Sequence, residues 1–464
     1  MNTLKKYTLN LKLIACLAFI VSIIITFIYY WLFNEVSVVV FYLLCLTAGL
    51  GVTIFISPND IQEKGFLINL FLFVYAINVI FVFLFIISFY YMDGGLFLPI
   101  RGLKVPDDKE YYERSIMIAQ AWHNHTSPNI GIIKFYGYTY LLGGIYYICD
   151  FFGDQSPITP RIFNAMVGGL IPIVVYLIAK LIYNKKIALR SAILSALFPV
   201  FIYYSAIMLR DIIIAFLILL SVYLFLIIHR TRYEIKKLLL FFPFTLIIIL
   251  IYFIRDLSAF ALLFGFAIFL FFKKGLGFKI LMSLFFILIA VIIWNNINLN
   301  TPKMQSYITY TQRSMELFKR VESEDSLGMK YIIGTPFILN IPLRIAYASI
   351  MPIPPIKEFN FQSLIKGLGV FLWYFIFPFW FYGMWISRKI PDANLLAILS
   401  IIFLVGIAMV SLDIRHKTQF FGFALIQASY AMNILHKKTL SIYFIIIYAI
   451  GCLGIIYIWL KFLI

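Results

Sequence analysis

Residues 212–228 read IIIAFLILLSVYLFLII, with no charge and no alternation of polar and apolar positions. Arg210-Asp211 stands before the run and His229-Arg230 after it. A bilayer core about 30 Å thick needs about 20 apolar residues of helix. Inside lipid the backbone must satisfy its own hydrogen bonds, which leaves helices or closed barrels. A barrel strand alternates every second residue, and this run does not. It reads as a membrane-spanning helix. Similar runs recur at 11–33, 36–57, 66–92, 158–183, 191–208, 238–254, 258–272, 280–296, 364–386, 393–411, 419–435 and 440–460. The chain has 464 residues, 63% of them hydrophobic and 12% charged, whereas a soluble domain is roughly 25% charged. The expected fold is an all-α polytopic integral membrane protein of about thirteen spans, and a soluble enzyme is excluded.

One weaker run, 135–152, decides the topology. It carries Gly137, Gly143 and Gly144, five tyrosines, and Asp150 near its end. If it does not cross alone and the N-terminus is cytoplasmic, the dense basic clusters share one side: Lys64; Lys185, Lys186 and Arg190; Arg230, Arg232, Lys236 and Lys237; Lys273, Lys274 and Lys279; Arg388 and Lys389; Lys437 and Lys438. Were it a span of its own, most of them would fall outside, against the positive-inside rule. The segment is therefore expected to lie on the membrane or re-enter it, with the C-terminus extracytoplasmic. Two long loops, 93–157 and 297–363, then share the outer face and carry amphipathic helices. Loops of this length are functional or disordered, and their Tyr, Trp, Phe and Pro content fits packing on the membrane surface. The expected organisation is two N-terminal helices in 1–65, a membrane core in 66–296, the second outer loop in 297–363 and C-terminal helices in 364–464.

The net charge of +18 is explained by these topogenic clusters and needs no nucleic acid. Cys16, Cys45, Cys149 and Cys452 lie in or at the end of apolar runs and read as small core residues. Lys5 and Lys6 precede the first run and Lys12 stands at its start, and no small-residue cleavage site follows, so that run reads as an uncleaved span of the plasma (inner) membrane.

Charge at the outer ends of the spans is the candidate chemistry. Asp107-Asp108 stands just before an expected amphipathic helix, about 109–122. A carboxylate at the membrane boundary can deprotonate an acceptor hydroxyl as a phosphate leaves, could hold a divalent metal such as Mg2+ or Mn2+, or could merely cap the helix. Leu209-Arg210-Asp211, Ile254-Arg255-Asp256 and Asp413-Ile414-Arg415-His416-Lys417 fall at similar depth on the same side, with Arg344 in the second loop. The positive-inside rule gives no reason for arginine there. The choice lies between interhelical ion pairs and a clamp for a lipid-linked phosphate, whose oxygens match the guanidinium fork. Met351-Pro352-Ile353-Pro354-Pro355 reads as a stiff extended stretch. His123-Asn124-His125 reads as surface histidines rather than a metal pair.

The first outer loop, opening with Asp107-Asp108 and Tyr111-Tyr112, resembles that of GT-C membrane glycosyltransferases. Gly137-Tyr138-Thr139-Tyr140, Pro160-Arg161-Ile162-Phe163-Asn164-Ala165, the basic turn Asn184-Lys185-Lys186 and the stretch Phe198-Pro199 to Leu209-Arg210-Asp211 follow in an order similar to the mannosyltransferase and aminoarabinose-transferase branch. Arg415-His416-Lys417 resembles a late basic motif of polysaccharide-assembly relatives. The likeness covers about 66–230 and 340–435, and its motifs are loose. It implies a sugar donor on a polyprenyl phosphate or pyrophosphate, a glycan or lipid acceptor, and inversion at the anomeric carbon with or without a metal. By carry-over, Asp107 or Asp108 is the base. Arg210, Arg255, Arg344, Arg415, His416, Tyr111, Tyr112 and Arg161 form the expected substrate-binding set, and no residue is assigned to a metal. The two spans before the usual first one and the lack of a soluble C-terminal domain depart from the pattern.

The leading expectation is a glycosyltransferase of cell-surface glycan assembly. An O-antigen or capsule repeat-unit polymerase would share the lipid donor and the outer arginines. A flippase or transporter would need ionisable or broken-helix sites near mid-membrane, where this sequence is almost wholly apolar.

Overall fold

The computed structural model describes residues 2–93, 95–98, 106–128, 136–272, 361–410 and 414–435, with single positions between 342 and 349. The expected spans 280–296 and 440–460, most of the second loop, the Met351–Pro355 stretch, Asp413 and Cys452 lie outside the described residues. The described part is all helix. In chain order it contains α1 (Asn2–Phe33), α2 (Val36–Ile56), α3 (Ile61–Asp93), α4 (Asp107–His123), α5 (Tyr136–Cys149), α6 (Thr159–Ile182), α7 (Lys185–Ala196), α8 (Pro199–Ser205), α9 (Asp211–Arg230), α10 (Glu234–Ile254), α11 (Asp256–Phe272), α12 (Phe361–Ser387), α13 (Ala393–Val410) and α14 (Ile414–Ile434). Seven of these are long and apolar enough to cross a membrane, or eight if α7 and α8 count as one bent span.

The run expected to span at 191–208 is divided between α7 and α8. α7 and α8 meet at 54°. Pro199 opens α8, and Phe198 before it is extended at ψ 112°, because the proline ring disfavours helical backbone in its predecessor. At its other end α7 starts on a true cap: the Asn184 side chain accepts from the N–H of Lys186 and Ile187 at 3.0 and 3.1 Å. α5, with 14 residues, is about 21 Å long, short of the bilayer core. It packs on α4, α6 and α10.

α6 is the hub. Its span is 89% buried, against 17% for α1 and 11% for α10, so α1 and α10 are peripheral. α6 packs on α2, α3, α7 and α9. α14 packs on α12, α13, α7 and α9 and closes the other half of the bundle. Trp373 and Trp380 of α12 pack against Phe420 and Phe421 of α14, and Trp380 Nε1 donates to Gln427 Oε1 at 3.0 Å.

Polar contacts sort the helix ends onto two faces. On one, Glu63 and Asp60 at the start of α3 meet Lys180 and Lys185, and Arg230 meets Asp392 between α12 and α13. On the other, the N–H of Ser37 in the first turn of α2 donates to Asp154, just ahead of α6, at 2.8 Å. That second face also holds the N-termini of α4, α9, α11 and α14.

Candidate functional site

Four chain segments bring charge together on this second face. α4 opens directly after Pro106 with no side-chain cap, and Asp107, Asp108 and Glu110 occupy its first turn, where the helix dipole favours carboxylates. α9 opens with Asp211 after Arg210. A single residue, Arg255, joins α10 to α11; its extended backbone (φ −159°, ψ 92°) turns the chain there. α14 puts Arg415 and His416 in its first turn.

The twin aspartates part company. Asp107 accepts from Arg415 Nη1 at 2.5 Å, and both side chains keep some exposure, 25% and 19%. Asp108 turns inward. One of its oxygens accepts the N–H of Leu98 at 2.9 Å and lies 3.6 Å from Arg161 Nη2, and neither member of that ion pair is exposed. Arg161 also donates to the Leu96 carbonyl and stands over the Phe89 ring at 5.6 Å. Its Nε and Nη1 have no hydrogen-bond partner among the described residues. Burial pushes the Asp108 carboxyl above its ordinary range, with the Arg161 charge and the Leu98 N–H pulling against it. Asp108 and Arg161 thus pin residues 96–98 beneath α4, while Asp107 faces Arg415.

Next to Arg415 lies a second knot. Arg255 Nη1 donates to Asp211 Oδ1 at 3.1 Å, Arg255 Nη2 sits 2.8 Å from His416 Nδ1, and that nitrogen is 3.5 Å from Asp211 Oδ1. Burial lowers the Arg255 guanidinium to about 10; Asp211 opposes the shift and the neighbouring Arg210 and Arg415 charges add to it. Arg210 Nη1 donates to the Ile254 carbonyl at 2.9 Å, tying the start of α9 to the end of α10. Asn164 of α6 donates to the carbonyls of Ile207 and Leu209 at 2.7 and 2.9 Å and so fixes the approach to Arg210. Gly137 lets α5 reach this corner: a Cβ there would sit 2.6 Å from the Phe253 carbonyl oxygen.

Tyr111 is buried edge-on against Tyr138, ring centroids 4.9 Å apart. Burial pushes its phenol up, and it feels the charges of Arg210, Asp107, Asp211 and Arg415 together. Tyr112 points elsewhere: its hydroxyl donates to the Gln155 carbonyl at 3.1 Å and its ring packs on Phe97 and Tyr146. Arg344 is half-buried, and no described hydrogen bond or ion pair ties it to the cluster. His123 lies 3.7 Å from Asp150, away from the arginines.

Of the expected residues, Asp107, Arg210, Arg255, Arg415, His416 and Tyr111 therefore converge, and Asp108 pairs with Arg161 beside them. Asp211, Asn164 and Gly137 belong to the arrangement and were not among the expected binding or catalytic residues. For Asp211 the repeated Arg-Asp pair was a signal in the sequence. Among the described residues no three His, Cys, Asp or Glu side chains gather as metal ligands; the three aspartates each face an arginine instead.

Residues 137–294 match the family model described as dolichyl-phosphate-mannose-protein mannosyltransferase. The chain is also similar to the archaeal oligosaccharyltransferase AglB from Archaeoglobus fulgidus in complex with an inhibitory peptide and a dolichol-phosphate, with 16% identity over 84% of this chain and 53% of that one and a TM-score of 0.49. A structure of the Archaeoglobus fulgidus oligosaccharyltransferase in complex with Zn and sulfate gives 16% identity, 81% and 51% coverage and a TM-score of 0.45. ArnT from Cupriavidus metallidurans bound to undecaprenyl phosphate gives 16%, 82% and 64%, and 0.40. The chain thus spans about half the length of the archaeal enzyme and 64% of ArnT. No curated protein matches it. Residues 137–294, which begin in α5 and take in α11, are thus similar in sequence to the dolichyl-phosphate-mannose-protein mannosyltransferase family.

Proposed function

We propose that this chain transfers a sugar from a polyprenyl-phosphate carrier to a glycan or lipid acceptor at the extracytoplasmic face of the plasma membrane, in cell-surface glycan assembly. The observation that carries the reading is the partly exposed Asp107–Arg415 pair beside the Asp211–Arg255–His416 knot. The basic clusters at the opposite helix ends support a cytoplasmic assignment for that other face.

In the proposed step the acceptor hydroxyl oxygen attacks the anomeric carbon from the side opposite the phosphate. Its proton passes to the Asp107 carboxylate as the carbon–oxygen bond to the phosphate breaks, and the polyprenyl phosphate leaves with the bonding electrons. Arg415 holds the Asp107 carboxylate in place and, with Arg255 and Arg210, supplies fixed positive charge where the leaving phosphate gains negative charge. Asp211 holds Arg255 in place. Asp108 is a positioning residue: through Arg161 and Leu98 it sets the start of α4, and with it the direction of Asp107.

The surplus of basic groups over aspartates also fits a repeat-unit polymerase, which leans on cations more than on a first-loop acid. Profiling of lipid-linked glycans in cells lacking the protein separates the readings. A polyprenyl-phosphate sugar that accumulates beside a glycan lacking that one sugar supports the transferase. Accumulated single repeat units would point to the polymerase, and an intermediate trapped on the cytoplasmic face to a flippase; either result overturns the proposal.

A further inference from the structure

At the face opposite Asp107, a cavity of about 440 Å3 opens where α2, α6 and α9 end. Its size falls in the range of small-molecule sites, roughly 300–1,000 Å3. Ile56, Leu177, Leu181 and Tyr223 form an apolar wall, and Lys180 and Arg230 stand in its lining with Ser57 and Asn59. Ile56 is the last residue of α2, Arg230 the last of α9, and Lys180 lies in the last turn of α6. The two cations therefore share one depth, where hydrocarbon gives way to water.

Their ion pairs leave each cation turned outward. Glu63 is only 6% exposed and Asp392 13%, whereas Lys180 and Arg230 keep 34% and 41%. Arg230 uses Nε and Nη2 on one Asp392 oxygen, at 2.9 and 2.6 Å, which leaves Nη1 to another acceptor. Glu63 is shared between Lys180 and Lys185, at 2.5 and 2.9 Å, so a single buried carboxylate faces two ammonium groups. Asp60, 3.5 Å from Lys185, is half-exposed and accepts the N–H of Gln62 in the first turn of α3. The carboxylates pair with the cations, and the more exposed cations line an opening that also carries Ile56, Leu177, Leu181 and Tyr223. An amphiphile with an anionic head and apolar chains matches both halves.

We propose that this cavity binds the phosphate headgroup of an anionic membrane lipid from the leaflet on that face, with Lys180 and Arg230 on the phosphate oxygens and the apolar wall along the chains. The site is separate from the Asp107 cluster and independent of the sugar-transfer reading.

The test uses the full chain in neutral detergent, with phosphatidylglycerol, phosphatidylcholine and inorganic phosphate as probes. Lipid adducts are counted by native mass spectrometry, and stabilisation is read by thermal unfolding. Phosphatidylglycerol is expected to bind and stabilise most, and Lys180→Gln with Arg230→Gln to weaken its apparent affinity about tenfold or more, the scale of losing a charge-assisted hydrogen bond. Should that double variant fail to fold, Leu181→Trp keeps every charge and fills the cavity, and it too should lose the adduct. Equal stabilisation by inorganic phosphate would mean a free-phosphate site, and equal binding of phosphatidylcholine would mean that chains alone are recognised. Either result, or undiminished phosphatidylglycerol binding in whichever variant folds, overturns the proposal.

Discussion

Adjacent aspartates with different partners should fail in different ways. Asp107→Asn removes one side of an ion pair whose members keep 25% and 19% exposure, so the cost should stay below the roughly 3–5 kcal/mol of breaking a fully buried pair. Its folding should suffer less than that of Asp108→Asn, while loss of a general base lowers turnover by roughly 10²–10⁴-fold. Asp108→Asn leaves Arg161 charged, wholly buried and without its carboxylate. Stranding one member of a buried pair costs about 3–5 kcal/mol, equivalent to about a hundredfold or more in the folding equilibrium. Thermal unfolding of both purified variants in detergent measures the first effect. Complementation of a deletion strain, read from its lipid-linked glycans, measures the second. If Asp107→Asn unfolds as readily as Asp108→Asn, or Asp108→Asn is as stable as the wild type, the division of roles is wrong.

Arg255→Met strands Asp211, which is 4% exposed; a loss of about 3–5 kcal/mol is expected, and an unchanged unfolding midpoint would show that His416 alone suffices as a partner. Asp154→Ala removes an imported cap from the first turn of α2, where the carboxylate accepts the Ser37 N–H at 2.8 Å; the expected cost is about 0.5–2 kcal/mol, measured by thermal unfolding, with Asp154→Asn retaining most of the stability. Gly383→Ala would drive a Cβ into the Gln427 carbonyl where α12 crosses α14. Because backbone cannot step aside as a side chain can, about 1–3 kcal/mol should be lost, and unimpaired stability in the same assay would mean that the helices cross less closely.

The spans were legible because lipid imposes a length and a composition on any helix that crosses it. Runs such as 36–57, 158–183 and 238–254 reappear as α2, α6 and α10 within a few residues. The run at 191–208 gave no sign of its bend, because hydropathy counts apolar residues and ignores what Pro199 does to the backbone of Phe198. At the candidate site, charge at the helix ends picked out Asp107, Arg210, Arg255, Arg415 and His416. It could not reveal Asn164 or Gly137, whose contributions are a pair of carbonyl contacts and the absence of a side chain.

Arg210-Asp211 and Arg255-Asp256 look alike in the sequence, and in both an arginine closes a turn and an aspartate opens a helix. Local chemistry determines that much, since acids favour helix N-termini and apolar runs fix where those termini fall. Only the packing of α9, α11 and α14 decided that Asp211 is buried against Arg255 and His416 while Asp256 stays exposed. The same holds for Asp107 and Asp108: neighbours in a helical turn point about 100° apart, so one reaches Arg415, more than 300 positions along the chain, and the other Arg161. Partner choice across such separations depends on which helices touch, and no local pattern in the chain encodes that.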